Sequence, residues 1–186
     1  MLARIMKLLA VVALAATVLR AASTSADELK SKAAQGDLNA QWQLAEAYTR
    51  GSLGLPQDSA AALQWYRKAA EQGSVPAACQ IGMHLAQGWG VPPNLSEAYA
   101  WLEVCRTAIP EPLTSPDQHR LEMNITSTLN YVAPRLNHTE RTRGDARARE
   151  IWIELYRARN HLEPEAAQIP EFRGYWPIYG DRAFVK

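Results

Sequence analysis

Cysteine and phenylalanine each occur only twice in this 186-residue chain, and histidine four times. Two thiols cannot build a four-cysteine zinc site, and the separation of Cys79 from Cys105 has no CxxC character. His84, His119, His138 and His161 stand apart, without metal-ligand spacing. The chain also lacks GxSxG, HExxH, a Walker loop and a Gly-rich dinucleotide fingerprint. Acyl transfer by a serine elbow, zincin chemistry and nucleotide-phosphate binding therefore have no residues to work through. Glu163 and Glu165 flank a proline at the end of a helix and read as solvated carboxylates rather than an acid/base pair. No catalytic residue, metal or cofactor is expected.

Long apolar runs are missing too, with one exception near the start. Arg4 and Lys7 precede the run LLAVVALAATVL, from Leu8 to Leu19, and the small-residue stretch ASTSA ends at Ala26. A charged n-region, a short apolar core and small residues at the cleavage point make a secretory signal peptide. The run falls short of the ~20 residues that a spanning helix needs. Residues 1–26 are therefore expected to be removed, leaving a periplasmic or secreted protein. No cysteine near the cut offers a lipid anchor.

An excess of positive charge is also absent. The whole chain carries +1, and loss of Arg4, Lys7 and Arg20 leaves 17 basic against 19 acidic residues. Nucleic-acid binding, which depends on neutralising phosphates, is not expected. The run RTRGDARAR, Arg141 to Arg149, is broken by Asp145 and followed by Glu150. Arg143 and Arg147 share a helix face while Arg141 and Arg149 point elsewhere, so it reads as a solvated helix with local ion pairs. Sequons at Asn94, Asn124 and Asn137 are taken as incidental in a chain of bacterial character.

What the sequence does have is an internal repeat. Sliding the chain by 37 residues places Gly36 on Gly73, Ala40 on Ala77, Gln43 on Gln80, Leu44 on Ile81 and Gly51 on Gly88. The offset then becomes 36, and Gly54 meets Gly90, Pro56 meets Pro92, Asp58 meets Asn94, Ala62 meets Ala98 and Trp65 meets Trp101. The change falls between GSLGLPQD and GWGVPPN, where a loop can absorb one residue. Each unit reads as two helices joined by a Gly/Pro loop. Asp58 is placed to cap the second helix, and Gly73 ends it in a left-handed conformation. Asn94 and Glu97 have capping-box spacing.

Taken together, the Ala/Leu stripe, the Gly–Pro–Asp/Asn loop and the string WYRKAAEQG resemble the Sel-one-like repeat, a relative of the tetratricopeptide repeat. The resemblance covers roughly Lys32 to Arg106 and departs in unit two, where Leu85 holds a usual tyrosine position and Leu102 stands where unit one has Tyr66. It implies an all-α, αα-hairpin solenoid with a right-handed superhelical path. It also implies a class of proteins that act as adaptors, regulators or toxin-neutralising factors.

The expected organisation is a partial helix over 27–35, repeat one over 36–72, repeat two over 73–108 and a degenerate capping unit over 109–160. That last unit holds helices from about Pro116 to Ala133 and from an Asn137–Glu140 capping box to Asn160. Beyond 160 a segment rich in proline and aromatics is expected to pack as an extended strap on the solenoid, or else to dock on a partner. Cys79 and Cys105 are equidistant from the loop centre near Pro92, which suits a disulfide, whereas the helical phase of Cys79 opposes one. Solenoids bind on the surface built from the first helix of each pair. The expected partner-binding residues are therefore Trp42, Gln43 and Glu46 in unit one and Gln80, Met83, His84 and Gln87 in unit two. The occupant is expected to be another protein or peptide. A cell-envelope enzyme acting on wall material and a self-associating structural protein are the alternatives.

Overall fold

A computed structural model describes residues 26–109 and 115–161, and all regular structure among them is helical. The helices are α1 (26–34), α2 (Leu38–Arg50), α3 (Ser59–Glu71), α4 (Val75–Gln87), α5 (Leu95–Ala108), α6 (Pro116–Val132) and α7 (His138–Asn160), with a 3-10 turn at Ala133–Arg135 before α7. Residues 1–25 of the expected signal peptide, residues 110–114 and the expected aromatic-rich strap beyond His161 lie outside the described residues. The chain forms two compact units, dividing within α3 between Trp65 and Tyr66.

Both repeats are punctuated by the same local chemistry. Asp37 caps α2 by accepting from the Ala40 N–H at 2.7 Å, and Ser74 caps α4 by accepting from Ala77 at 3.4 Å. Gly51 and Gly88 close these helices in the left-handed region, at φ 64° and 75°. In the first loop the Asp58 N–H donates to the Tyr48 carbonyl at 2.9 Å, and in the second Asn94 donates to Leu85 at 3.0 Å. These bonds are equivalent, and the residue lost between repeats comes out of the loop they close. Asp58 then caps α3 through Ala61, and Asn94 caps α5 through Glu97. Only half of the expected capping box forms at α5. The Glu97 carboxylate turns to Trp101 Nε1 (3.0 Å) and Arg147 instead of returning to the cap.

In unit one, Ala26, Leu29 and Ala33 of α1 pack with Ala40, Leu44 and Ala47 of α2 and with Leu55 of the loop. Tyr48 and Trp65 lie partly buried against this cluster. The buried Gln41 amide donates to the Ala33 carbonyl at 3.2 Å and ties α2 to α1. Ala26, the last residue of the expected signal peptide, is thus helical and 3% exposed.

In unit two, α5 is the central element and packs against α4, α6 and α7. Tyr99, Leu102, Val104 and Cys105 of α5 are essentially inaccessible. Full burial of one such large apolar side chain contributes ~1.5–3 kcal/mol. Helix α7 approaches α5 at Gly144, where a Cβ would lie 2.6 Å from Tyr99 Cδ1. The Tyr99 hydroxyl donates to Asp145 beside it (3.1 Å), and Ser96 donates to the Glu140 carbonyl (3.3 Å). Both α6 and α7 begin with complete capping boxes, Ser115/Gln118 and Asn137/Glu140.

Candidate interaction surface

Helix α4 has no charged residue, and eight of its thirteen residues are buried. Apart from Val75 in the first turn, what reaches solvent is one stripe of Pro76, Gln80, Met83 and Gln87. At about 100° per residue these four positions fall within about 60° of arc. Three of the expected partner-binding residues of unit two, Gln80, Met83 and Gln87, therefore share a face, partly or fully exposed. In unit one, Gln43 is exposed, Trp42 and Glu46 are half-buried, and Glu46 pairs with Arg50 on the same helix.

His84 does not belong to that surface. It is 1% exposed and lies edge-on to two rings, Tyr66 at 5.6 Å and Trp89 at 5.5 Å between centroids. Cys79, also expected off the core stripe, is fully buried. Both corrections have one physical cause. A single apolar stripe suits a helix with one neighbour, whereas α4 packs against α5 and also α6.

That burial also resolves the cysteines. Cys79 and Cys105 are bonded, with Cα atoms 5.3 Å apart, and staple α4 to α5. The equal spacing from the loop brings them level, and the phase objection fails because the Cys79 side of α4 is itself a packed face.

The imidazole has a defined role. Its Nδ1 lies 3.1 Å from the Trp89 carbonyl, an acceptor, so Nδ1 carries the proton. The Trp89 N–H donates to the His84 carbonyl at 3.0 Å, which closes a two-bond clamp around the Gly88–Trp89–Gly90 turn. Nε2 is buried and has no hydrogen-bond partner among the described residues. Burial pushes the His84 pKa below its ordinary value of 6.5, against the Trp89 carbonyl, which favours the proton. The Trp89 indole, held by this clamp, remains 50% exposed. The sequence signal for this pair is a lone histidine on an uncharged helix, one turn before a tryptophan between two glycines.

Charge in unit two gathers on α7. Arg147 reaches Glu150 at 2.9 Å on its own helix and Glu97 of α5 at 3.5 Å, with Glu154 at 3.9 Å. Partial burial opposes its charge, yet these carboxylates raise its pKa overall. Arg141 donates to the Ala133 carbonyl, while Arg143 and Arg149 stay exposed. On α5, Glu103 is 3% exposed and paired with Arg106 at 2.5 Å. An open depression of about 460 Å³ lies between the starts of α5 and α7, lined by Pro92, Pro93, Leu95, Arg135, Leu136 and Glu140 among others. Among the described residues no group of three or more His, Cys, Asp or Glu could hold a metal ion. No described helix is long and apolar enough to cross a membrane.

The Sel1 repeat family matches the chain twice, over residues 38–74 and 75–103. No curated protein matches it. Among solved structures it is similar to c5321, a protective antigen of uropathogenic Escherichia coli strains with an SLR fold. The TM-score is 0.58 at 24% identity, covering 81% of this chain and 30% of that one. The chain thus spans under a third of the length of that relative. A Sel1 repeat protein from Oxalobacter formigenes is also similar, with 26% identity, a TM-score of 0.40 and coverage of 64% of this chain and 96% of that one. Residues 38–74 and 75–103 thus each match the Sel1 repeat, and the fold is of the all-α SLR type.

Proposed function

We propose that this chain is an exported, non-catalytic interaction module that holds another protein or peptide on the exposed faces of its first-of-pair helices. Sel1-repeat proteins are generally protein-interaction modules and typically non-catalytic. One observation carries the reading to particular residues: beyond Val75 in its first turn, α4 is buried except for the uncharged stripe of Pro76, Gln80, Met83 and Gln87. Desolvating amides and a thioether costs less than desolvating charges, and methionine adapts its shape to an apposed surface. Export is supported by the n- and h-regions of the first 26 residues and by the buried Cys79–Cys105 bond, which suits an oxidising compartment.

The test is site-specific photocrosslinking in cells that make the full chain. A photoreactive side chain at Met83 is expected to form an adduct with another polypeptide, whereas one at the exposed Asn124 of α6 is not. Gln80→Ala with Met83→Ala is expected to weaken that adduct without changing the thermal midpoint. Equal crosslinking from both sites, or an adduct indifferent to the double substitution, would overturn the assignment.

A further inference from the structure

His84 lies between two rings of unlike exposure. Tyr66 is fully buried, whereas Trp89 is 50% exposed, so the imidazole's way to water runs past Trp89. A proton can be added only at Nε2, because Nδ1–H is already committed to the Trp89 carbonyl. Nε2 has no partner among the described residues, so the added charge would be buried without an acceptor.

No neighbouring charge compensates it. On α3, Arg67, Lys68 and Glu71 are exposed, and Tyr66 lies edge-on to the ring. Helix α4 offers no other titratable group, since Cys79 is bonded. On α5, Glu97 is engaged by Trp101 and Arg147, Glu103 by Arg106, and the Tyr99 hydroxyl by Asp145. On α6, Asp117 pairs with Arg120, His119 Nδ1 lies on the Ser115 carbonyl, and Glu122 and the exposed Tyr131 complete the ionisable groups. The influences on the His84 proton are burial and the Trp89 carbonyl alone.

We propose that His84 and the Gly88–Gly90 turn form a pH-sensitive latch, which holds Trp89 in place at neutral pH and releases it in mild acid. Protonation at Nε2 forces the ring towards water, and the side that yields is the half-exposed one. Movement there breaks the Trp89 N–H bond to the His84 carbonyl and frees the turn, while α4 and α5 stay joined by their disulfide. The latch operates whether or not a partner occupies α4.

Amide exchange on the full chain, read residue by residue by NMR at pH 7.5 and 5.5 and corrected for chemical exchange, tests this. The Gly88 and Trp89 amides, both donated to the His84 carbonyl, are expected to lose protection on the order of tenfold, the equivalent of about one pKa unit. The Ala98 amide, donated to the Asn94 carbonyl, is expected to keep its protection. His84→Gln keeps a donor for the Trp89 carbonyl but does not titrate, and is expected to abolish the loss. Equal loss at Ala98, or an unchanged loss in His84→Gln, would overturn the latch. Should that variant not fold, titration of the His84 ring in the unaltered chain decides. A midpoint below 6.5 that moves the Trp89 indole signal with it supports the latch, and any other result overturns it.

Discussion

Gly73 sits where a side chain has no room. Its φ is 87°, and a Cβ would lie 2.6 Å from the Arg159 backbone nitrogen, an atom that cannot swing aside as a flexible side chain would. Gly73→Ala is therefore expected to cost about 2–4 kcal/mol, combining left-handed strain with overpacking, as measured by urea unfolding. Gly144→Ala poses a milder conflict. The atom in the way is Tyr99 Cδ1, on a buried ring pinned by its hydroxyl bond to Asp145. Helix propensity favours alanine by up to ~1 kcal/mol, so the net loss should be only ~1–2 kcal/mol. The ordering of the two variants is the sharper expectation, since a Gly144→Ala loss equal to or above that of Gly73→Ala would contradict both contacts.

At the scale of elements, the α4–α5 pair is held by apolar burial and one covalent bond. Closing a loop of sequence separation 26 stabilises the chain by about 3 kcal/mol in the chain-entropy account. Cys79→Ala with Cys105→Ala should lower the unfolding free energy by about that amount. Denatured, unreduced protein should show no reactive thiol. Much of this pairing is legible in the sequence: the repeat offsets locate both loops, and Asp58 and Asn94 announce the starts of the helices that follow them. Two starts outside the repeats are equally plain, Ser115 from the proline that follows it and Asn137 from its capping-box spacing with Glu140. What the sequence hides is how many neighbours a helix has. Cys79 and His84 look like surface positions when one apolar stripe is drawn on α4, and they become core once α5 and α6 both claim it. Glu103 is hidden for the same reason, because a carboxylate on a central helix reads as exposed until its neighbours are in place. Gln80, Met83 and Gln87, lying on the one side of α4 left open, remain where their spacing put them.

For the molecule as a whole, acid should erode stability through His84. Its folded pKa is lowered by burial, so the folded chain keeps the ring neutral while the unfolded chain protonates it near 6.5. The neutral ring's contribution is complete above that pH and declines as pH falls from 6.5 towards the lower folded value. The urea midpoint should drop between pH 7.5 and 5.5, and the drop should be smaller in His84→Gln. An identical drop in both proteins would assign the acid sensitivity to other groups. Arg147 and its three carboxylates bear less on this balance, because exposed ion pairs contribute ~0–1 kcal/mol. The contact of Gly73 with Arg159 has a further meaning for how the second unit comes into being. In an open array of repeats each module touches only the next, and folding can advance one module at a time as the chain is made. Here the beginning of the unit is met by the end of α7, 86 positions later in the chain. Native closure must wait until Arg159 has been synthesised, and a nascent chain halted in the middle of α7 would hold Gly73 uncovered.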